Sequence, residues 1–279
     1  MDKKAFKDFF EPYSKNVDNA DASYFWKLSD TLVLEIIKRN IPTDLSEEAT
    51  ILDAGGGTGR WVVKLSKEYK SNFAIYDLSE DMLGQAEKNV ADASIDDRVT
   101  LVHGDLCDMD KIKDESIDHI VSIYSPISFV YENEKAVKEL HRILKPGGRI
   151  IIMGHGYYNA LASKINNYTA PADELQKLND GQRVLWAPHV PELVTYSKET
   201  METLLSDVGF SIISTYGVPT FVQPGPEDFD PENKERSRIS EALSDQEFFD
   251  KVFEIEMQHN NKPEVANRGM NIFTVAEKK

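Results

Sequence analysis

Three aspartates and a run of glycines are the residues of this chain best suited to acting on a ligand. Asp53-Ala54-Gly55-Gly56-Gly57-Thr58-Gly59 follows the apolar run that starts at Thr50, and leads into Arg60-Trp61 and an amphipathic stretch. A strand should therefore enter a glycine turn and then a helix. Glycine alone tolerates the left-handed torsions and close backbone approach of such a turn, and the helix start offers unpaired N–H groups to an anion. Asp77 lies 18 residues past Gly59 (77 − 59). A carboxylate at a strand's carboxyl end can accept both hydroxyls of a ribose, although an acid here can also simply cap a helix start. Asp105 and His155 occupy similar rim positions further along.

Two common glycine loops fit poorly. A nicotinamide-dinucleotide loop, aligned on Gly55 and Gly57, needs glycine or alanine where Arg60 stands. A phosphate-binding Walker loop needs a Gly-Lys-Ser/Thr ending that is missing. Arg60 has two readings, a clamp on a ligand carboxylate or a partner for Asp53 or another acid, because its planar fork suits any carboxylate.

The elements that must position these residues alternate. Strands are expected over residues 50–54, 72–76, 99–103, 117–123 and 149–155, and helices over 60–69, 79–91 and 132–144, the last closed by Lys145-Pro146-Gly147-Gly148. Such β-α-β order implies an α/β fold with a mostly parallel sheet and helices on both faces. A capped helix over 197–208, stopped by Gly209, leads to strands over 210–216 and 271–276. The expectation is a single domain over 1–279. Residues 1–47 would form an N-terminal helical lid and 48–155 the ligand-binding core. Two inserts, 156–196 and 217–269, are too long for plain connections and read as caps over a second ligand. In the second insert Phe248, Phe249, Val252, Phe253 and Glu256 form a helical stripe, for packing or for a substrate wall.

The glycine loop with its leading acid resembles the first motif of the class I S-adenosylmethionine-dependent methyltransferases. The resemblance covers roughly residues 48–155. Asp77-Leu78-Ser79-Glu80-Asp81-Met82 is similar to that family's ribose site, His103-Gly104-Asp105-Leu106 to its adenine site, and residues 136–148 to its helix and turn into the fifth strand. It implies a Rossmann-like seven-stranded sheet with helical lid and cap insertions, and S-adenosyl-L-methionine as cofactor, leaving as S-adenosyl-L-homocysteine. The cofactor residues it implies are Asp53, Gly55, Gly56, Gly57, Gly59, Asp77, Leu78, Met82, Asp105, Leu106 and Tyr124. A helical N-terminal arm often covers the cofactor in this family, and Phe10, Tyr13, Tyr24, Phe25 and Trp26 are suited to that lid or to the core.

The sulfonium already activates the methyl group, so the enzyme's main task would be in-line positioning, which can supply ~7 kcal/mol or more. The expected acceptor is N or O of a small molecule or peptide, cationic or aromatic in character. His155, and Tyr124 at the end of the fourth strand, are the catalytic candidates, with His189 weaker; Tyr13, Trp26, Tyr157, Tyr158 and Trp186 are the acceptor-binding candidates. Aminopropyl transferases share a triple-glycine loop but have an acid where this chain has Tyr124-Ser125. A cofactor-binding scaffold without turnover is the other alternative.

Composition narrows the setting. The net charge of −16 disfavours nucleic acid, and no segment is apolar for the ~18 residues of a membrane span. The charged N-terminus does not read as a signal peptide. One cysteine, Cys107, forms no internal disulfide, and no cluster has zinc-ligand spacing, so a cytoplasmic protein without metal is expected. The oligomeric state is not legible.

Overall fold

A computed structural model describes residues 23–186, 190–229 and 236–279. The N-terminal arm up to residue 22, with Phe10 and Tyr13, and the segment holding His189 lie outside the described residues. The chain runs through α1 (Tyr24–Asn40), β1 (Thr50–Ala54), α2 (Arg60–Leu65), β2 (Asn72–Asp77), α3 (Glu80–Asp92), β3 (Val99–His103), β4 (Ile117–Ser122), α4 (Asn133–Ile143) and β5 (Leu144–Gly156). The first insert holds α5 (Tyr157–Asn166), α6 (Ala172–Gly181), β6 (Arg183–Val184) and β7 (Leu193–Tyr196). Then follow α7 (Lys198–Val208), β8 (Phe210–Val218), α8 (Arg238–Ala242), α9 (Gln246–His259), α10 (Pro263–Ala266) and β9 (Asn271–Lys278).

Among the described residues the sheet has nine strands, where seven were expected. Seven form the continuous order β3-β2-β1-β4-β5-β9-β8, parallel through β5 and antiparallel at β9 and β8. The other two belong to the first insert. β7 joins β5 only at His155 and Gly156, past the point where β4 stops pairing at Ser122, and β6 pairs with β7. An insert could occupy that edge because β5, at 13 residues, outruns the 6-residue β4.

Parallel strands are covered on both faces, so neighbouring residues enter different cores. Ile51, Val121, Ile151 and Met153 face α1, α2, α3 and α9, while Leu52, Ile120, Ile150 and Ile152 face α4 and α7. A smaller core of Tyr157, Ala160, Leu178, Val184 and Leu193 holds the first insert together. Two helix ends follow the sequence closely: Ser197 and Thr200 form a reciprocal capping box on α7, and Gly209 closes it in the left-handed region. Helix α2 is shorter than expected, ending at Leu65 in turns that carry Tyr69 under the core. No described helix is long and apolar enough to cross a membrane.

The stripe on α9 resolves into packing. Phe249 is buried, Val252 and Phe253 pack against the core, and Phe248 points outward. Glu256 is fully buried, and its carboxylate accepts from the backbone N–H groups of Thr220 (2.9 Å), Phe221 (2.8 Å) and Val222 (3.1 Å), and from the Thr220 hydroxyl. This acid gathers the strand exit after β8 onto the helix. Glu256→Gln turns one acceptor into a donor facing these N–H groups and should cost about 2 kcal/mol. A denaturant midpoint equal to that of the wild type would contradict the assignment.

Candidate active site

Strands β1 to β5 are parallel, so their carboxyl ends share one edge of the sheet. The strand order reverses between β1 and β4, the position where an open α/β sheet leaves a crevice. The loops leaving these strands touch closely. Gly55 has φ +76°, and a Cβ there would lie 2.4 Å from Cβ of Pro126 in the turn after β4. Gly59, at φ +71°, starts α2, where a Cβ would meet Ile75 at 2.7 Å. Other side chains are excluded on both conformation and space.

Two buried acids back the loop. Asp77 Oδ2 accepts from Gly57 N–H (2.9 Å) and Oδ1 from Ser79 N–H (2.8 Å), so this carboxyl organises both the glycine turn and the entry to α3. Burial raises its pKa, against the lowering effect of those N–H groups. Asp53 is 2% exposed, and its Oδ2 has no hydrogen-bond partner. Burial first, and then the charge of Asp77, push Asp53 up to about 7. A buried oxygen with no partner beside a glycine turn and a helix start suits a ligand end that carries both an ammonium and a carboxylate. Around the acids, Met82 and Leu106 are buried and Leu78 is half-buried, with its carbonyl 3.0 Å from His103 Nε2. Asp105 Oδ1 accepts from Cys107 N–H (2.9 Å), which shapes the turn after β3.

Arg60 pairs with Asp30 of α1, which settles its two readings in favour of an acid partner. Tyr124 donates its hydroxyl to the same carboxylate, and burial and Asp30 raise its pKa well above 10. The phenol is therefore a fixed hydrogen-bond donor to Asp30. Its ring meets Trp26 edge-on at 5.6 Å and lies 6.1 Å from Trp61. Trp26 also contacts Phe229 (6.0 Å) and donates to the Asp228 carbonyl (2.6 Å), which joins α1 to the second insert.

His155 ends β5 with its backbone N–H on Ser128 Oγ (2.9 Å) and its ring edge-on to Trp186 (5.4 Å). Its Nε2 is buried without a partner, and desolvation lowers its pKa to about 4. At neutral pH the imidazole is therefore in its uncharged form. Tyr157 is buried in the insert core with its hydroxyl on the Asn179 carbonyl (3.3 Å), and Tyr158 is half exposed beside it. Tyr157 is part of the insert's framework, Tyr158 is at its surface, and Trp186 faces the histidine. Sequence reasoning missed Asp30. Its signal was an acid within the apolar register of α1, next to Leu28, Leu32 and Val33.

The folded-state pKa of Asp53, about 7, lies above the 3.8 of a solvent-exposed aspartate. Its contribution to stability is therefore complete at low pH and is lost as pH rises through about 7. In ligand-free protein, Asp53→Asn should melt close to the wild type near about pH 5 and above it near about pH 8. Melting curves whose separation does not widen with pH would refute the buried proton.

Residues 51–148 match the model of a family described as a methyltransferase domain. A demethylmenaquinone methyltransferase of Lactiplantibacillus plantarum is 32% identical over 111 residues, 39% of this chain and 46% of that protein. A tRNA 5-carboxymethoxyuridine methyltransferase of Escherichia coli is 22% identical over 170 residues, 61% of this chain and 62% of that protein. The matched segments thus span between about half and just under two thirds of these relatives. A solved structure from Methanococcus maripaludis, assigned as an S-adenosyl-L-methionine-dependent methyltransferase, superposes with a TM-score of 0.51 at 27% identity, covering 74% of this chain and 88% of that one. The matched region runs from the glycine loop into β5 and leaves both inserts outside. With its strand, glycine turn and helix, its acid at the end of β2 and another just past β3, the matched segment 51–148 is similar in sequence and layout to the core of S-adenosyl-L-methionine-dependent methyltransferases.

Proposed function

We propose that this protein transfers a methyl group from S-adenosyl-L-methionine to a nitrogen or oxygen of a small-molecule or peptide acceptor. The observation that carries the reading is the buried, unpartnered Asp53 oxygen beside the glycine loop, in line with Asp77 and Asp105 along one edge of the sheet. In this reading the cofactor's carboxylate meets the loop and the N-terminus of α2, and its ammonium meets Asp53. Asp77 takes the ribose, Asp105 and the Leu106 N–H take adenine, and Leu78, Met82 and Tyr124 supply apolar walls.

The acceptor enters from the side of the two inserts, between Trp26 and Tyr124 on one hand and His155 and Trp186 on the other. His155, neutral with a free buried nitrogen, accepts a hydrogen bond from the acceptor's O–H or N–H and aligns it with the methyl carbon. Positioning then supplies most of the acceleration. The relatives named for a quinone precursor and for tRNA act on different acceptor classes. The net charge of −16 favours a small acceptor over RNA. The aromatic walls also suit methylation at carbon of an aromatic ring, which product analysis would separate.

Calorimetry with S-adenosyl-L-methionine and S-adenosyl-L-homocysteine tests the cofactor, and a mass-spectrometric screen for acceptors that gain one CH2 tests the transfer. Failure of both ligands to bind would overturn the reading. Asp77→Ala should weaken S-adenosyl-L-homocysteine binding about tenfold or more, the worth of a charge-assisted hydrogen bond; unchanged affinity would remove Asp77 from the ribose site. Once an acceptor is found, turnover should stay level between about pH 6 and pH 8 with respect to His155, because it titrates far below. His155→Ala should slow turnover, and a wild-type rate would dismiss the residue.

A further inference from the structure

Asp30 is 6% exposed and sits on the buried side of α1, where an acid costs stability unless it is paired. It takes three partners at once: the Arg60 guanidinium, Lys64 Nζ at 3.1 Å, and the Tyr124 hydroxyl. Arg60 and Lys64 stand four residues apart on one face of α2, immediately after the last glycine of the loop. Tyr124 and Ser125 have φ of +58° and +68°, a conformation that non-glycine residues hold only when their surroundings impose it. Ser125 is held from one side through Asn271 (3.1 Å), and Tyr124 from the other through Asp30. One carboxylate therefore joins α1, the start of α2 and the strained turn after β4, the three pieces that surround the glycine loop.

We propose that Asp30 is a positioning residue of the methyl-donor site: it holds the Tyr124 ring and the first turns of α2 in the arrangement that retains the donor, and makes closure of α1 part of donor binding. The proposal rests on the cofactor reading above. A bound donor should leave slowly because α1 cannot lift without breaking the buried ion pairs. The charge, rather than the size, of the side chain is the requirement, since two cations face it.

Stopped-flow displacement of S-adenosyl-L-homocysteine tests this with Asp30→Asn, Tyr124→Phe and the double variant. The dissociation rate should rise about tenfold in Asp30→Asn, as expected for a lost charged contact. The double variant should be little faster than the faster single one, because both changes break the same link. Lys278→Met serves as a control for general loosening. It removes a buried ammonium from Glu115 (3.2 Å) and the Leu144 carbonyl (2.8 Å) at the opposite edge of the sheet, and should leave the dissociation rate alone. A wild-type dissociation rate in Asp30→Asn, effects that multiply in the double variant, or an equal effect in Lys278→Met would each overturn the proposal. Should Asp30→Asn not fold, Tyr124→Phe decides alone, and an unchanged rate there overturns it. A wild-type protein that binds neither S-adenosyl-L-methionine nor S-adenosyl-L-homocysteine would overturn the cofactor reading and this one together, whereas normal binding with unaffected variants overturns only this one.

Discussion

The approach of Gly55 to Pro126 is the contact on which the arrangement of the site depends. The sheet reverses its strand order between β1 and β4, and the loops leaving these two strands have to share the space above that point. They do so because Gly55 has no Cβ, and because Pro126 begins a tight turn at Pro126–Phe129. The same turn presents Ser128 Oγ to the backbone of His155, and its leading residues aim the Tyr124 ring at α1. A larger residue at position 55 would separate the loops and move both ends of the site together. Backbone packing at one point thus sets the distance between the glycine loop on one side and the histidine on the other.

Electrostatics divide the same edge into two unlike halves. The glycine-loop half concentrates carboxyl groups: Asp53 and Asp77 are both buried, burial raises the pKa of each, and the charge of Asp77 raises that of Asp53 further. Backbone N–H groups offset part of that cost at Asp77, while Asp53 is left with an open oxygen. Such a pair tolerates a cation far better than it tolerates solvent exclusion alone. The half formed by β5 and the inserts is different in kind. His155 is desolvated and neutral, and its neighbours are aromatic. Between the halves, Asp30 is balanced by Arg60 and Lys64, so α1 packs against the start of α2 without adding an unpaired charge.

The inserts use the sheet's irregular edge. Because β5 continues past β4, its last residues pair with β7 on the side that β4 vacates. The first insert is thereby anchored at His155 and Gly156 before its own small core forms. Lys164, buried at 4% exposure, bonds Glu174 and the Leu185 carbonyl, and its ammonium lies 5.6 Å from the Trp186 ring. A buried cation with an acid partner and an aromatic face is a rigid support, and here it stands directly behind the ring that faces the histidine. The second insert is fixed to α1 through Asp228, which accepts from Ser23 and Ser240, and to β8 through Glu256.

Local patterns determined much of this protein. The alternation of apolar runs and amphipathic stretches announced β1 to β5 and the helices between them to within a few residues, because a doubly covered parallel strand must be apolar on both faces. The loop from Asp53 to Gly59, with Asp77 and Asp105, was legible because backbone torsions and strand ends limit which residue types can stand there. What tertiary structure alone decided depends on contacts between segments far apart in the chain. Arg60 faces an acid 30 residues earlier, and Tyr124 spends its hydroxyl on an acid 94 residues away. His155 has its basicity removed by burial rather than by any neighbour in sequence. The β6–β7 pair exists because one strand outlasts another. Periodicity reports which face of an element is buried; it carries no information on which partner that face will meet, and a side chain's charge and proton affinity are set by that partner.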